Sequence, residues 1–269
     1  LEFRRVLFRS AQNLKGELTK REPLVDVLAG PDSYRQLPLL IGNAMRAQEE
    51  GEDLKGLAVD LSEYETYDDI SPERVAGVNA WIAVMRGCDN FCSFCVVPYT
   101  RGRERSRDPE GILEEAGQIA AQGFKQITLL GQNVNSYRSG DWDFARLITA
   151  VADIQGIERV RFTSPHPKDF PVPLLEAVAS HPKICKHIHL PLQSGNDRIL
   201  GMMNRTYTRR EYLGLVNRIR SINPNIVLTT DVIAGFCSET DEEFADTYRL
   251  LEEVRYHSAF IFLYSERTN

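Results

Sequence analysis

The sequence predicts an α/β fold, an open (β/α)6 three-quarter barrel of the TIM-like kind, for most of its length. Three observations carry this. From Val78 onward, six short apolar runs alternate with amphipathic stretches of helical period. Each run is bounded by Gly, Pro or polar turn residues, the pattern of parallel strands buried on both faces and joined by helical crossovers. Six units fall short of the eight that close a barrel.

The elements follow in order. Leu1–Ser10 (LEFRRVLFRS) reads unlike the rest; residues 1–10 are taken as a non-native extension and left out of fold reasoning. Residues 11–77 form a separate stretch: a polar helical piece, the apolar run Val25–Ala29 and a Gly30-Pro31 turn. Positions 42–77 within it are acidic, lack apolar periodicity and read as a linker rather than a core. Residues 78–269 hold the barrel. Its candidate strands are Ala80–Met85, Gln126–Leu130, Arg159–Phe162, His187–Leu190, Ile226–Ile233 and Ala259–Leu263. Between them, Asp108 is an N-cap with Pro109 at the first helical position; Ile112, Ala116, Ile119 and Ala120 then share a face, and Gly123 ends the helix. Phe144, Leu147, Ile148 and Val151 make a second stripe. Thr208 with Glu211 is a capping box preceding Tyr212, Leu215, Val216 and Ile219. Thr240 with Glu243 is another, preceding Phe244, Tyr248 and Leu251.

Composition bounds the class. The chain has 269 residues, 42% hydrophobic and 26% charged, ordinary for a globular protein. No run approaches a membrane span, no secretory signal is evident, and clustered thiols suit a reducing cytoplasm, so cytoplasmic localisation without a membrane partner is expected. The net charge of −6 argues weakly against nucleic acid, but local charge outweighs the total.

The chemistry concentrates after the first strand. Cys88, Cys92 and Cys95 are spaced C-x3-C-x2-C on a loop leaving an apolar run. Thiolates so spaced can converge on one soft metal centre. Three are one short of a closed zinc site or a fully ligated cubane, which points to a cluster with one iron open to a non-protein ligand. A zinc site would need a distant fourth ligand, Cys185 or a His. A disulfide framework does not suit five Cys with three clustered. Arg101, Arg103, Arg105 and Arg107 recur every second residue directly afterwards; if extended, all four project from one side as a phosphate-binding row, the alternative being a solvated turn.

The other strand ends are polar. Gly131, Gln132 and Asn133 follow the second, Thr163 to Pro167 with Ser164 and His166 the third, Pro191 to Gly195 with Gln193 the fourth, and Ala234-Gly235-Phe236 the fifth. Singly each is an ordinary loop; together they line the face where such barrels bind ligands. His166 reads equally as a base, a hydroxyl-binding group or a structural turn residue.

The run Cys88-Asp89-Asn90-Phe91-Cys92-Ser93-Phe94-Cys95-Val96-Val97-Pro98-Tyr99-Thr100-Arg101-Gly102 closely resembles the radical S-adenosylmethionine (SAM) methylthiotransferases. So do Thr128 to Tyr137 (TLLGQNVNSY), Arg161 to Pro167 (RFTSPHP), His189 to Gly195 (HLPLQSG) and Met203 to Thr208 (MNRTYT). The Val-Val-Pro-Tyr-Thr-Arg-Gly and Gly-Gln-Asn-Val-Asn-Ser-Tyr wording favours the MiaB type, which acts on N6-dimethylallyladenosine in tRNA, over sister groups acting on threonylcarbamoyladenosine or a ribosomal protein. The resemblance covers roughly Gln12 to the end. It implies a radical SAM core and a methylthio group added at C2 of the adenosine at position 37, beside the anticodon. One SAM would give a methyl group and a second a 5′-deoxyadenosyl radical. Cys88, Cys92 and Cys95 would then hold a 4Fe-4S cluster. Phe94, Gly131, Gln132, Asn133, Ser164, Gln193 and Gly235 would line SAM. The expected partners are the anticodon stem-loop of tRNA and a flavodoxin or ferredoxin reductant.

Departures from the family pattern accompany this. Relatives carry an N-terminal domain with three further Cys for a second 4Fe-4S cluster, whereas this chain has no Cys before Cys88. The resemblance therefore implies a chain truncated at both ends, in which residues 11–77 are the remnant of an N-terminal α/β domain plus linker. Cys237-Ser238 stands where most relatives read Pro-Gly, which puts a thiol of undefined role on the active face. A non-catalytic RNA-binding scaffold and a zinc-stabilised structural protein are the readings from other classes.

Overall fold

A computed structural model describes residues 6–7, 16–22, 25–52, 56–70 and 72–266. Most of the Leu1–Ser10 extension lies outside these residues; Val6–Leu7 within it pairs in parallel with Val27–Leu28.

Six parallel strands make up the barrel: β1 (Asn79–Ala83), β2 (Gln126–Leu130), β3 (Arg159–Phe162), β4 (His187–His189), β5 (Val227–Ala234) and β6 (Ser258–Leu263). The longer helices between successive strands are α1 (Pro109–Ala121), α2 (Phe144–Asp153), α3 (Val172–Ser180), α4 (Arg209–Ile222) and α5 (Asp241–Val254), with short helices at Val97–Arg101 and Asp197–Met202 besides. The sheet consists of two three-stranded pieces, β3-β2-β1 and β4-β5-β6. An isolated parallel bridge between Val160 and Ile184 joins them. β1 and β6 do not pair, so the barrel is open, with the count and direction the sequence predicts.

The local signals act as expected at most ends. Asp108 accepts from the Glu110 and Gly111 amides and so caps α1, while both capping boxes close, Thr208 with Glu211 on α4 and Thr240 with Glu243 on α5. On α2, Phe144, Leu147, Ile148 and Val151 are all buried against the sheet, each contributing about 2 kcal/mol of apolar burial.

Three expectations are corrected. Positions 42–77 are not all linker: Leu37–Glu49 is a helix burying Ala44 and Ala47, and Gly56–Ala58 is a strand beside Val27–Ala29. Their fully buried residues are too few to show a period, but Tyr67 is buried, stacked on Tyr34 at 5.0 Å and covered by the Arg86 guanidinium at 4.6 Å. β6 is exposed along its whole length rather than buried on both faces. On α5 the inward residues are Thr247, Leu250 and Val254, while Phe244 and Tyr248 face outward. The reason is polar: the Thr247 hydroxyl accepts from the Gly195 amide at 2.8 Å. A Cβ on Gly195 would lie 2.6 Å from the Thr247 Cα, so only glycine lets α5 pack this closely. One helix, α3, has no counterpart in the sequence reading; it buries Leu174, Leu175 and Val178.

Candidate cofactor site at the strand ends

The cysteine loop is a closed excursion from the C-terminal end of β1. Met85–Arg86 pairs antiparallel with Arg105–Ser106, so residues 87–104 leave and return at one neck. Gly87 and Gly102 stand at that neck with φ of +77° and +72°. A Cβ on Gly87 would sit 1.9 Å from the Arg103 carbonyl oxygen, so the neck closes only around glycine. Across it the Cys88 amide donates to the Gly102 carbonyl at 3.2 Å.

The three thiols share this loop. Cys92 is buried, and Cys88 and Cys95 are half-buried. Asn90 Nδ2 donates to Cys88 Sγ at 3.5 Å, and the Arg205 guanidinium donates to Cys92 Sγ at 3.3 Å. Burial, with Glu104 and Cys92 nearby, pushes the Cys88 thiol up. Among the described residues no three His, Cys, Asp or Glu side chains converge as a metal-binding group, so the thiols share a segment rather than a point. The donor set nevertheless fits a thiolate-held iron–sulfur cluster: three sulfurs on one loop, two of them met by N–H donors. Cys185 is elsewhere, its amide bonded to Val160 at the opposite end of the strands.

The remaining strand ends surround the loop. Gln132 Oε1 accepts from the Gly87 amide at 2.7 Å, and Asn133 Nδ2 donates to Glu104 at 3.1 Å, so both support the cysteine loop. Gly131 leaves room for Met85, whose Cγ would lie 2.6 Å from an added Cβ. Ser164 and Gln193, at the ends of β3 and β4, hold left-handed φ of 58° and 66°, and Gly235 after β5 has φ 72°. Two non-glycine residues in this region, at successive strand ends, store strain where ligands bind in such folds. Phe94 packs with Ile199, Met203 and Phe236 under the loop. Cys237 is exposed.

His166 is buried. Its Nδ1 accepts from the Lys168 amide at 3.2 Å, which leaves the proton on Nε2, and Nε2 has no hydrogen-bond partner among the described residues. Burial first, then Arg205 and Lys168, lowers its pKa to about 3.

The arginine row is corrected. Residues 97–101 are helical and Gly102 turns the chain, so the four side chains do not share a side. Arg105 points inward, paired with Asp32 at 3.2 Å and bonded to the Ser62 carbonyl. Arg107 likewise pairs with Asp68 at 2.5 Å and Glu115 at 2.8 Å. Both side chains are buried and committed to carboxylates rather than presented on an outer face. Arg101 is half-buried, and Arg103 is 70% exposed beside Asp89 and over the Phe91 ring.

Two features escaped the sequence reading. Glu104, hidden between arginines, accepts from Asn133 and, at 2.7 Å, from Ser136. The segment 202–205 reaches over the cysteine loop from beyond β4. The resemblance flagged those residues, but no periodicity placed them at the site.

Comparison with known proteins agrees with this geometry. The family model of the Radical SAM superfamily matches residues 82–251. The chain is 48% identical over 258 residues to the tRNA-2-methylthio-N(6)-dimethylallyladenosine synthase of Prosthecochloris aestuarii, covering 95% of this chain and 57% of that protein. It is 51% identical to the synthase of the same name from Porphyromonas gingivalis, covering 97% of this chain and 56% of the relative. The chain thus spans little more than half the length of these curated relatives. Among solved structures, the radical SAM methyltransferase TsrM from Kitasatospora setae superposes with a TM-score of 0.60 at 16% identity, covering 92% of this chain and 57% of TsrM. The cobalamin-dependent radical enzyme OxsB gives a TM-score of 0.62 at 12% identity, covering 91% of this chain and 42% of OxsB. At such identity these likenesses establish the fold alone.

Proposed function

The chain belongs to the Radical SAM superfamily, and from that premise we propose that it is the core of a tRNA methylthiotransferase acting on N6-dimethylallyladenosine beside the anticodon. The single observation that carries the reading is the set of three thiols, Cys88, Cys92 and Cys95, on a glycine-necked loop at the C-terminal end of β1. It is supported by relatives about half identical over nearly the whole chain that bear that activity's name. Cys88, Cys92 and Cys95 would hold a 4Fe-4S cluster, which when bound with SAM supplies the electron for reductive cleavage of the sulfonium. A second cluster belongs to the full-length enzyme.

The protein's own part is positioning and exclusion of water. The Gly87 and Gly102 neck fixes where the loop emerges. Gln132 braces that neck, and Asn133 and Ser136 hold Glu104 against it. Ser164, Gln193 and Gly235 present backbone at the mouth of the barrel, in conformations suited to close approach by a polar cofactor. Arg103, with Arg101, serves the tRNA phosphates. A flavodoxin or ferredoxin supplies the electron, in the cytoplasm. No helix among the described residues is long and apolar enough to cross a membrane.

The test is metal analysis. Reconstituted without oxygen, the 269-residue chain should take up one 4Fe-4S cluster. Cys88→Ala, Cys92→Ala and Cys95→Ala should each abolish it, and Cys185→Ala should retain it. On reduction, the loaded chain should cleave SAM to 5′-deoxyadenosine and methionine. One zinc per chain with no iron absorbance would overturn the reading; a bound cluster without SAM cleavage would favour the non-catalytic scaffold.

A further inference from the structure

The segment Met202–Arg205, which leaves the short helix Asp197–Met202, closes over the cysteine loop from the far side of the barrel. Four hydrogen bonds involving Met202, Met203 and Asn204 join them, besides that of Arg205. The Ser93 amide donates to the Met203 carbonyl at 3.0 Å, and the Ser93 hydroxyl to the Met202 carbonyl at 2.9 Å. Asn204 Nδ2 donates to the Asn90 and Phe91 carbonyls at 3.3 and 2.9 Å. Asn204 is itself left-handed, with φ 53°, a conformation asparagine tolerates and one that aims its side chain back at the loop.

Arg205 carries the chemistry. Its guanidinium donates to Cys92 Sγ at 3.3 Å, to the Tyr207 hydroxyl at 3.1 Å and to the Pro191 carbonyl at 3.4 Å, and it lies 5.3 Å from the Tyr207 ring centre. The Tyr207 hydroxyl is in turn fixed by the Pro191 and Leu192 carbonyls at 3.1 and 3.0 Å. Among the described residues no carboxylate pairs with Arg205. Arg205 is half-buried, where a cation benefits from electron-rich partners. Beside the neutral Tyr207 hydroxyl and Pro191 carbonyl its fork meets the Cys92 sulfur, the one partner that can carry negative charge as a thiolate.

We propose that Arg205 is a positioning residue for Cys92 that biases the charge of the thiolate site, and that Asn204 is the mechanical clamp of the same loop. The inference rests on the cluster reading of Cys88, Cys92 and Cys95. Hydrogen bonds to ligand sulfurs and a fixed positive charge favour the more reduced, more negative state of such a centre. Arg205 therefore raises the potential at which the site accepts an electron, whereas Asn204 keeps the loop closed without touching sulfur.

The two roles separate in one experiment on the reconstituted and the metal-free chain. Equilibrium redox titration should give a more negative midpoint for Arg205→Met and an unchanged midpoint for Asn204→Ala. Amide exchange of residues 88–95 in the metal-free protein should quicken in both, by about tenfold, the loss of a hydrogen bond or two worth about 1.4 kcal/mol. Exchange elsewhere in the barrel should hold steady. If Arg205→Met does not fold, Arg205→Lys keeps the charge, loses the planar fork, and should shift the midpoint the same way by less. A foldable Arg205 variant with the parent's midpoint and loop exchange overturns the proposal. A parent chain that takes up no iron overturns the cluster reading instead, while the exchange measurement still tests the clamp.

Discussion

His166 makes the stability of this fold depend on pH in a calculable way. Its imidazole is buried after β3, and its pKa falls from 6.5 to about 3 chiefly because burial disfavours the charged ring. The unfolded chain binds a proton there below about pH 6.5, and the folded chain does not until about pH 3. Between those values the unfolded state holds more protons, so stability is complete above pH 6.5 and declines as the pH falls. From pH 7 to pH 5 the decline from this group is about 2 kcal/mol, from roughly 1.5 pH units at 1.36 kcal/mol each. For a chain of this size that is about 4–8 °C in Tm. The perturbation is His166→Gln, which titrates in neither state. The assay is urea unfolding of both proteins at pH 7 and pH 5. His187 is also lowered by burial, then by Arg161 and its histidine neighbours, so only the difference between parent and variant counts. The variant should lose about 2 kcal/mol less than the parent on acidification, whatever the substitution costs at pH 7. Equal losses would refute the reasoning and mean that His166 is solvated or charged in the folded chain.

The arginine row gives a paired test. Arg103→Ala should weaken tRNA binding and reduce its salt slope by about 1, measured by filter binding across a salt series, with the melting temperature unchanged. Arg105→Ala should instead destabilise the chain by about 3–5 kcal/mol in urea unfolding, because it leaves Asp32 less than fully compensated in the interior. Gly87→Ala should abolish iron uptake in reconstitution, since its Cβ must displace the Arg103 carbonyl and the neck of the cysteine loop with it. Iron content equal to the parent's would show that the neck is not closed as described.

The barrel was legible because its signals are local. A parallel strand buried on both faces is a short apolar run, and a capping box needs only two residues three apart, so strands and caps are found within two residues of their predicted places. The cysteine loop is local too, and three thiols within eight residues mark it without any tertiary knowledge. What failed to read depends on partners far along the chain. The α5 face is set by Gly195, whose missing side chain admits Thr247, and no periodicity within α5 reports that. β6 reads as a buried strand because Phe260, Ile261, Phe262 and Leu263 are apolar, yet no described element covers them, and apolar character alone does not report whether a covering layer is there. The helix Leu37–Glu49 buries only Ala44 and Ala47 while its larger apolar residues Leu39 and Met45 are exposed, so no apolar stripe marks its inward face.

Alternation of arginine every second residue has the same appearance whether the side chains face phosphates or buried carboxylates. Extended geometry alone could not choose between them; what chooses is where the acids lie. Asp32 is fully buried between Arg86 and Arg105, the residues on the two sides of the loop neck, and Asp68 and Glu115 enclose Arg107 in the same way. Both Asp32 and Asp68 come from the segment before the barrel, so that segment grips the neck of the cysteine loop from one side. Asn204 and Arg205, from beyond β4, grip the same loop from the other. The acidic character that made positions 42–77 look like a solvated linker is, at Glu65, Asp68 and Asp69, the counter-charge for arginines elsewhere in the fold. The thiols therefore sit on a loop whose position is fixed by charge pairs and amide contacts arriving from both ends of the chain. A site that must hold sulfur ligands in register requires this arrangement more than it requires any single residue of the loop itself.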